Sequence, residues 1–211
     1  MPNTTYLIIG SSRGIGRGLV SIFHTTVIAA VRDTASEHSQ SLLSLPGPES
    51  QLILVKLDSA SPTDVQQGVT TLHSKHSIES INIMIANAGI SFAKEYVPVH
   101  DISINTLHEY IHLNGLGPVY LYQAVYSRLK KGQRRCFLVL KARQGVLRAV
   151  EKRSYPCAVD GPSKAVLHWI IREMHFAGEI KGVMSFVVDL GRVDFVLSPL
   201  QVVLLRRSTQ V

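Results

Sequence analysis

The sequence predicts an α/β fold: a doubly wound, Rossmann-like parallel sheet of about six strands with helices on both faces. Three observations predict it. Short apolar runs alternate with longer stretches of helical spacing along the whole chain. Nearly every position in those runs is apolar, as in strands covered on both faces. The first run passes through a glycine-rich turn straight into a helix.

Residues 6–9 (YLII) are the first strand. Ile15, Leu19, Ile22 and Phe23 then recur at helical spacing, giving a helix from Gly14 to about His24. The turn between them is Gly10-Ser11-Ser12-Arg13-Gly14-Ile15-Gly16. Such a turn aims backbone N–H groups and the positive end of a helix dipole at one point, which suits a phosphate or pyrophosphate. Gly10 permits the tight turn, Gly14 lets backbone approach a ligand, and Gly16 lets helix and strand pack closely. The spacing is G-x-x-x-G-x-G, so an ordinary βα turn stays open as a reading.

Residues 25–31 (TTVIAAV) are the second strand, followed directly by Arg32 and Asp33. A polar helical stretch ends at the breaker Leu45-Pro46-Gly47-Pro48. Residues 51–57 (QLILVKL) are the third strand, ending at Asp58. Ser61 caps the next helix and Pro62 suits its first position. Residues 81–86 (INIMIA) are the fourth strand, ending in Asn87-Ala88-Gly89. A long helix covers residues 104–130, a fifth strand 136–140, another helix 160–176, and a sixth strand 185–190. Neither an internal repeat nor a linker interrupts the series, so residues 1–211 are expected to form a single domain. Ligands in such folds sit beyond the carboxyl ends of the strands.

Composition narrows the function classes. With 211 residues and 45% hydrophobic content, the chain can bury a sizeable core. No apolar run approaches the ~18 residues of a membrane span, and the start lacks a basic region followed by a long apolar stretch. No membrane association is expected, and the two cysteines, Cys136 and Cys157, fit a reducing cytoplasm. The net charge of +7 is concentrated in residues 128–153, with ten Lys or Arg and one acid, Glu151. Little aromatic interleaving and no binding motif accompany it, so a solvated basic face is expected and not a nucleic-acid partner. His108-Glu109-Tyr110-Ile111-His112 matches H-E-x-x-H, but no third ligand follows at a familiar spacing, and no metal is expected.

The glycine turn, Asn87-Ala88-Gly89 after strand four, Asn114 in the long helix and Ser163-Lys164 opening the next one resemble the short-chain dehydrogenase/reductases. The resemblance covers about residues 5–194. Residues 26–33 and 85–90 are most similar to fungal ketoreductases of the norsolorinic acid type. It implies a single dinucleotide-binding domain that reduces a small-molecule carbonyl, with a place in fungal polyketide metabolism. It also implies a homodimer or homotetramer built through the two long helices. The cofactor would be held by Gly10, Ser12, Arg13, Gly14, Ile15, Gly16, Arg32, Asp58, Asn87, Ala88, Gly89, Lys164 and Val193. Arg13 and Arg32 lie where the adenine ribose would sit, and two guanidinium groups there favour a 2′-phosphate, hence NADP.

The family's reaction uses an Asn–Ser–Tyr–Lys tetrad. By resemblance Asn114 and Lys164 fill two places. The tyrosine place, four before the lysine, holds Asp160. The serine place falls in Lys141-Ala142-Arg143-Gln144-Gly145, which contains no serine. Tyr155 is the candidate substitute proton donor, and Ser154 or Ser163 a substitute for the serine. The alternative is an NADP-binding protein with impaired catalysis. The family's Pro-Gly turn after strand six is replaced by Leu190-Gly191-Arg192-Val193-Asp194, and a lid shortened at the C-terminus is expected, with residues 201–205 a short last strand.

Overall fold

The computed structural model describes residues 4–23, 25–45, 50–140, 143–152, 154–176 and 182–189. Six strands form one all-parallel, Rossmann-like sheet: β1 (Thr5–Ile9), β2 (Thr26–Val31), β3 (Gln51–Lys56), β4 (Ile83–Ala86), β5 (Cys136–Leu140) and β6 (Met184–Val188). Their order is β3-β2-β1-β4-β5-β6. The chain therefore reverses its direction of winding between β1 and β4, and the carboxyl ends of those two strands flank the crevice where such sheets bind ligands.

Alternate residues of each strand feed two cores. Leu7, Ile9, Ile28, Ala30, Ile53 and Val55 face one side, where they meet α3 (Pro62–His76), α5 (Gly117–Lys131) and α6 (Asp160–Phe176). Ile8, Val27, Ala29, Val31 and Ile85 face the other, packed on Val20 of α1 (Gly14–Ile22). This is why the strands read as unbroken apolar runs. Ser61 caps α3 by accepting a hydrogen bond from the Asp64 amide at 3.1 Å, with Pro62 opening the helix. The polar stretch after β2 forms only one α-turn, α2 (Glu37–Gln40), and a 3₁₀ turn (Ser41–Ser44). Its serines bond their own backbone, Ser41 to His38 and Ser44 to Ser41, which competes with helix extension.

The long helix is not uniform. It comprises α4 (Ile104–Tyr110), a π-helical turn (Ile111–Leu116) and α5. Pro118 has no N–H to offer the Asn114 carbonyl four residues back, so regular α bonding fails there. The wider turn absorbs that loss and carries Asn114.

Tyr122, packed edge-on against Phe137 with centroids 5.1 Å apart, buries a hydroxyl that has no hydrogen-bond partner among the described residues. Burial pushes its pKa up to about 12. Tyr122→Phe is expected to leave stability unchanged or raise it by about 1 kcal/mol, read as the midpoint of urea unfolding.

Candidate functional site

The first half of the site is a backbone cradle. Gly10 sits at φ +75° and Gly14 at φ +56°, conformations that favour glycine. The Gly10 and Ser11 amides donate to the Ala30 carbonyl at 3.1 and 3.3 Å, which holds the turn against the end of β2, two residues before Arg32. A Cβ at Gly16 would overlap the Gly10 carbonyl oxygen and lie 2.7 Å from Asn87 Nδ2. The start of α1 thus presses on the turn with no room for a side chain. Asn87 Nδ2 donates to the carbonyls of Gly10 at 3.0 Å and Ile9 at 3.3 Å, tying the end of β4 to the end of β1. Ala88 lies beneath Gly10, where a Cβ would come within 3.1–3.2 Å of it, and Gly89 follows at the exposed edge.

Arg13 precedes α1 in extended conformation, makes no capping bond and is exposed. Arg32 is exposed directly after β2. Ser12 and Ile15 are half-buried beside Arg13 and Gly14. Asp58, half-buried after β3, accepts the Ala60 amide at 2.9 Å and fixes its own turn. This geometry fits a dinucleotide: close backbone approach at the glycines, a helix N-terminus, and two exposed arginines, Arg32 directly after β2 and Arg13 directly before α1. Val193 lies outside the described residues, as do Lys141 and Ala142, the rest of the turn after β6, and residues 201–205.

The second half is a buried polar knot. Asn114 Oδ1 accepts the Ile90 amide at 2.9 Å. Its Nδ2 reaches the Ile90 carbonyl at 3.0 Å, Asp160 Oδ1 at 3.2 Å and Ser163 Oγ at 3.2 Å. Lys164 Nζ stands 3.8 Å from Asp160 Oδ1, and their side chains are only 3% and 1% exposed. Ser163 Oγ donates to the Asp160 carbonyl at 2.7 Å, so this serine is committed to the helix start. A Cβ at Gly145 would overlap the Lys164 carbonyl, which seats the loop after β5 directly on α6.

Three hydroxyl groups next to this knot carry no signal in the sequence. Ser91 Oγ donates to Asp160 Oδ2 at 3.4 Å and lies 3.2 Å from the Tyr96 hydroxyl. Tyr110 is buried one helical turn before Asn114, and its hydroxyl accepts the Phe92 amide at 2.9 Å. Its pKa is raised, chiefly by burial, with the Asp160 carboxylate adding to the rise. Ser91 and Tyr96 lie in a loop, where no periodicity marks a residue's direction. Tyr155 is 41% exposed and stacks on Tyr96 with centroids 5.2 Å apart, and Ser154 is exposed. The structure brings Tyr155 to the rim through its ring.

The H-E-x-x-H stretch spans the junction of α4 and the π turn. His112 Nε2 is 2.7 Å from the Ala60 carbonyl and its ring leans on Tyr120. Among the described residues no group of three or more His, Cys, Asp or Glu is placed to hold a metal.

The model of the short chain dehydrogenase family matches residues 4–197. The chain belongs to the short-chain dehydrogenase family. It is 37% identical over 199 residues to a norsolorinic acid ketoreductase of Dothistroma septosporum, covering 90% of this chain and 72% of that protein. It is 32% identical over 199 residues to that of Aspergillus parasiticus, covering 90% and 71%. Among solved structures, the NADPH-bound carbonyl reductase from chicken fatty liver superposes with a TM-score of 0.76 at 22% identity, covering 90% of this chain and 79% of that one. The dehydrogenase fold is thus shared well beyond recognisable sequence.

A buried ion pair is costly to break from one side, because the remaining charge is left without its partner in a low-dielectric site. Lys164→Met is expected to lower the unfolding free energy by about 3–5 kcal/mol. Lys164→Met combined with Asp160→Leu should recover most of that loss, since both charges are then gone. Chemical denaturation of the two variants tests the difference.

Proposed function

We propose that this short-chain dehydrogenase is an NADP-dependent oxidoreductase reducing a ketone carbonyl on a small molecule of fungal polyketide metabolism. The observation that carries the reading is the cradle of Gly10, Gly14 and Gly16 locked by Asn87, with Arg13 and Arg32 exposed beside it. The names of its relatives support the substrate class: those proteins are norsolorinic acid ketoreductases. Gly10, Ser12, Gly14, Ile15, Gly16, Asn87, Ala88 and Gly89 would hold the pyrophosphate and ribose side, Arg13 and Arg32 the 2′-phosphate, and Asp58 the adenine side. When bound, the cofactor supplies the hydride. Asn114 and Lys164 would organise the reacting end. By family resemblance Val193 would also contact the cofactor.

A second reading is an NADP-binding protein with impaired catalysis. The pairing of Asp160 with Lys164 favours it, because the family's tyrosine is replaced by a group that engages the lysine. The two readings share the cofactor and differ in turnover. NADPH is expected to bind with enhanced fluorescence, and Arg13→Ala with Arg32→Ala to weaken NADPH by about 10–100-fold while sparing NADH. Turnover of aromatic ketones supports the reductase. Tight binding without turnover supports the second reading, and binding of neither nucleotide overturns both.

The exposed apolar side chains Trp169 and Phe176 on α6 support self-association as a homodimer or homotetramer. Light scattering is expected to show an oligomer that Trp169→Glu dissociates. The low cysteine content, two residues in the chain, supports a cytoplasmic place.

A further inference from the structure

The knot around Asn114 has a hydroxyl path leading out of it. Asp160 Oδ2 accepts from Ser91 Oγ at 3.4 Å, and Ser91 Oγ meets the Tyr96 hydroxyl at 3.2 Å. The contacts named to the Asp160 carboxylate come from donors: the Asn114 amide, the Ser91 hydroxyl and the Lys164 ammonium. That leaves the Ser91 oxygen to accept from Tyr96. Asp160 is buried, Tyr96 half-buried and Ser91 exposed, so the path runs from the protein interior to the rim. It lies beyond the carboxyl end of β4, where Asn87 joins the glycine cradle. Tyr155 closes over the Tyr96 ring as a stacking partner and fixes its plane. Phe92, next to Ser91, is pinned through its amide to the Tyr110 hydroxyl.

We propose that Tyr96 is the proton-transfer residue of this site, wired through Ser91 to Asp160. The inference rests on the oxidoreductase reading above and names its acid–base group. In alcohol oxidation, the hydride leaves the carbinol carbon for NADP⁺ and the carbonyl forms. The substrate hydroxyl proton passes to the Tyr96 oxygen, the phenol proton to Ser91, and the Ser91 proton to Asp160 Oδ2. Ketone reduction is the same transfer reversed: a solvent proton loaded on Asp160 Oδ2 through the exposed Ser91 passes by way of Ser91 and Tyr96 to the alkoxide. Asp160, which stands at the family's tyrosine place, thereby keeps a role in the chemistry through the phenol of Tyr96. Tyr155 and Ser91 are positioning residues: one orients the ring of Tyr96, the other spans the gap that Asp160 is too short to cross.

The test uses the full chain with NADPH and an aromatic ketone, and NADP⁺ with the corresponding secondary alcohol. Tyr96→Phe is expected to reduce kcat in both directions by about 10²–10³-fold, with the fluorescence-measured Kd of NADPH unchanged. Ser91→Ala should cost about tenfold in kcat and flatten a curved proton inventory in mixed H₂O and D₂O, which a structural role would not alter. Wild-type turnover in Tyr96→Phe, or loss in Tyr155→Phe instead, overturns the inference while leaving the oxidoreductase reading intact. A wild-type chain that binds NADPH and turns over in neither direction overturns both.

Discussion

One side chain, Asn114, holds three segments of chain in register. It pairs with both backbone groups of Ile90, with Asp160 at the start of α6, and with Ser163 in its first turn. A buried amide must satisfy a donor group and an acceptor, and here both are spent on segments that the sheet topology alone would leave unconnected. The loop after β4 therefore has a fixed height above α6. The spacing of Ser91 and Tyr96 from Asp160 depends on that height. So does the burial of Lys164, whose charge faces Asp160.

The glycine cradle and the buried knot are built from different materials. The first is backbone: glycine conformations, carbonyls and one amide clasp between β1 and β4. A backbone cradle tolerates much change in neighbouring side chains. The second is side-chain chemistry in a confined space, where each group restricts the next. A carboxylate beside a lysine fixes charge, reach and hydrogen bonding at once. The knot shows the outcome: Asp160 is satisfied inwardly, and the nearest phenols come from elsewhere in the chain.

This division explains what could be read from the sequence. The six strands, their order of appearance and the glycine turn were legible because burial on both faces forces continuous apolar runs, and Gly16 has no space for a Cβ. Asn114 and Lys164 were legible through family resemblance, and the structure places both in one knot. Helix α2 read as longer than it is, because serines that bond their own backbone leave no trace in hydrophobic spacing. The π turn was invisible for a similar reason, since its cause is a missing N–H at Pro118. Ser91 and Tyr96 were missed because loop residues converge in space without a period in sequence. Tyr155 was chosen for its nearness in sequence to Asp160, and the fold brings it to the site by stacking on Tyr96.

The π turn has a further consequence. A wider turn holds one extra residue, so it is a phase shifter between α4 and α5. Each residue of an α-helix advances the side chain by about 100°. Winding the same residues as regular α-helix, without the wider turn, would rotate one half against the other by that angle. Either Tyr110 would leave the loop it holds or the face of α5 that packs on the sheet would turn to solvent. The wider turn therefore keeps the inward faces of α4 and α5 in register despite the extra residue.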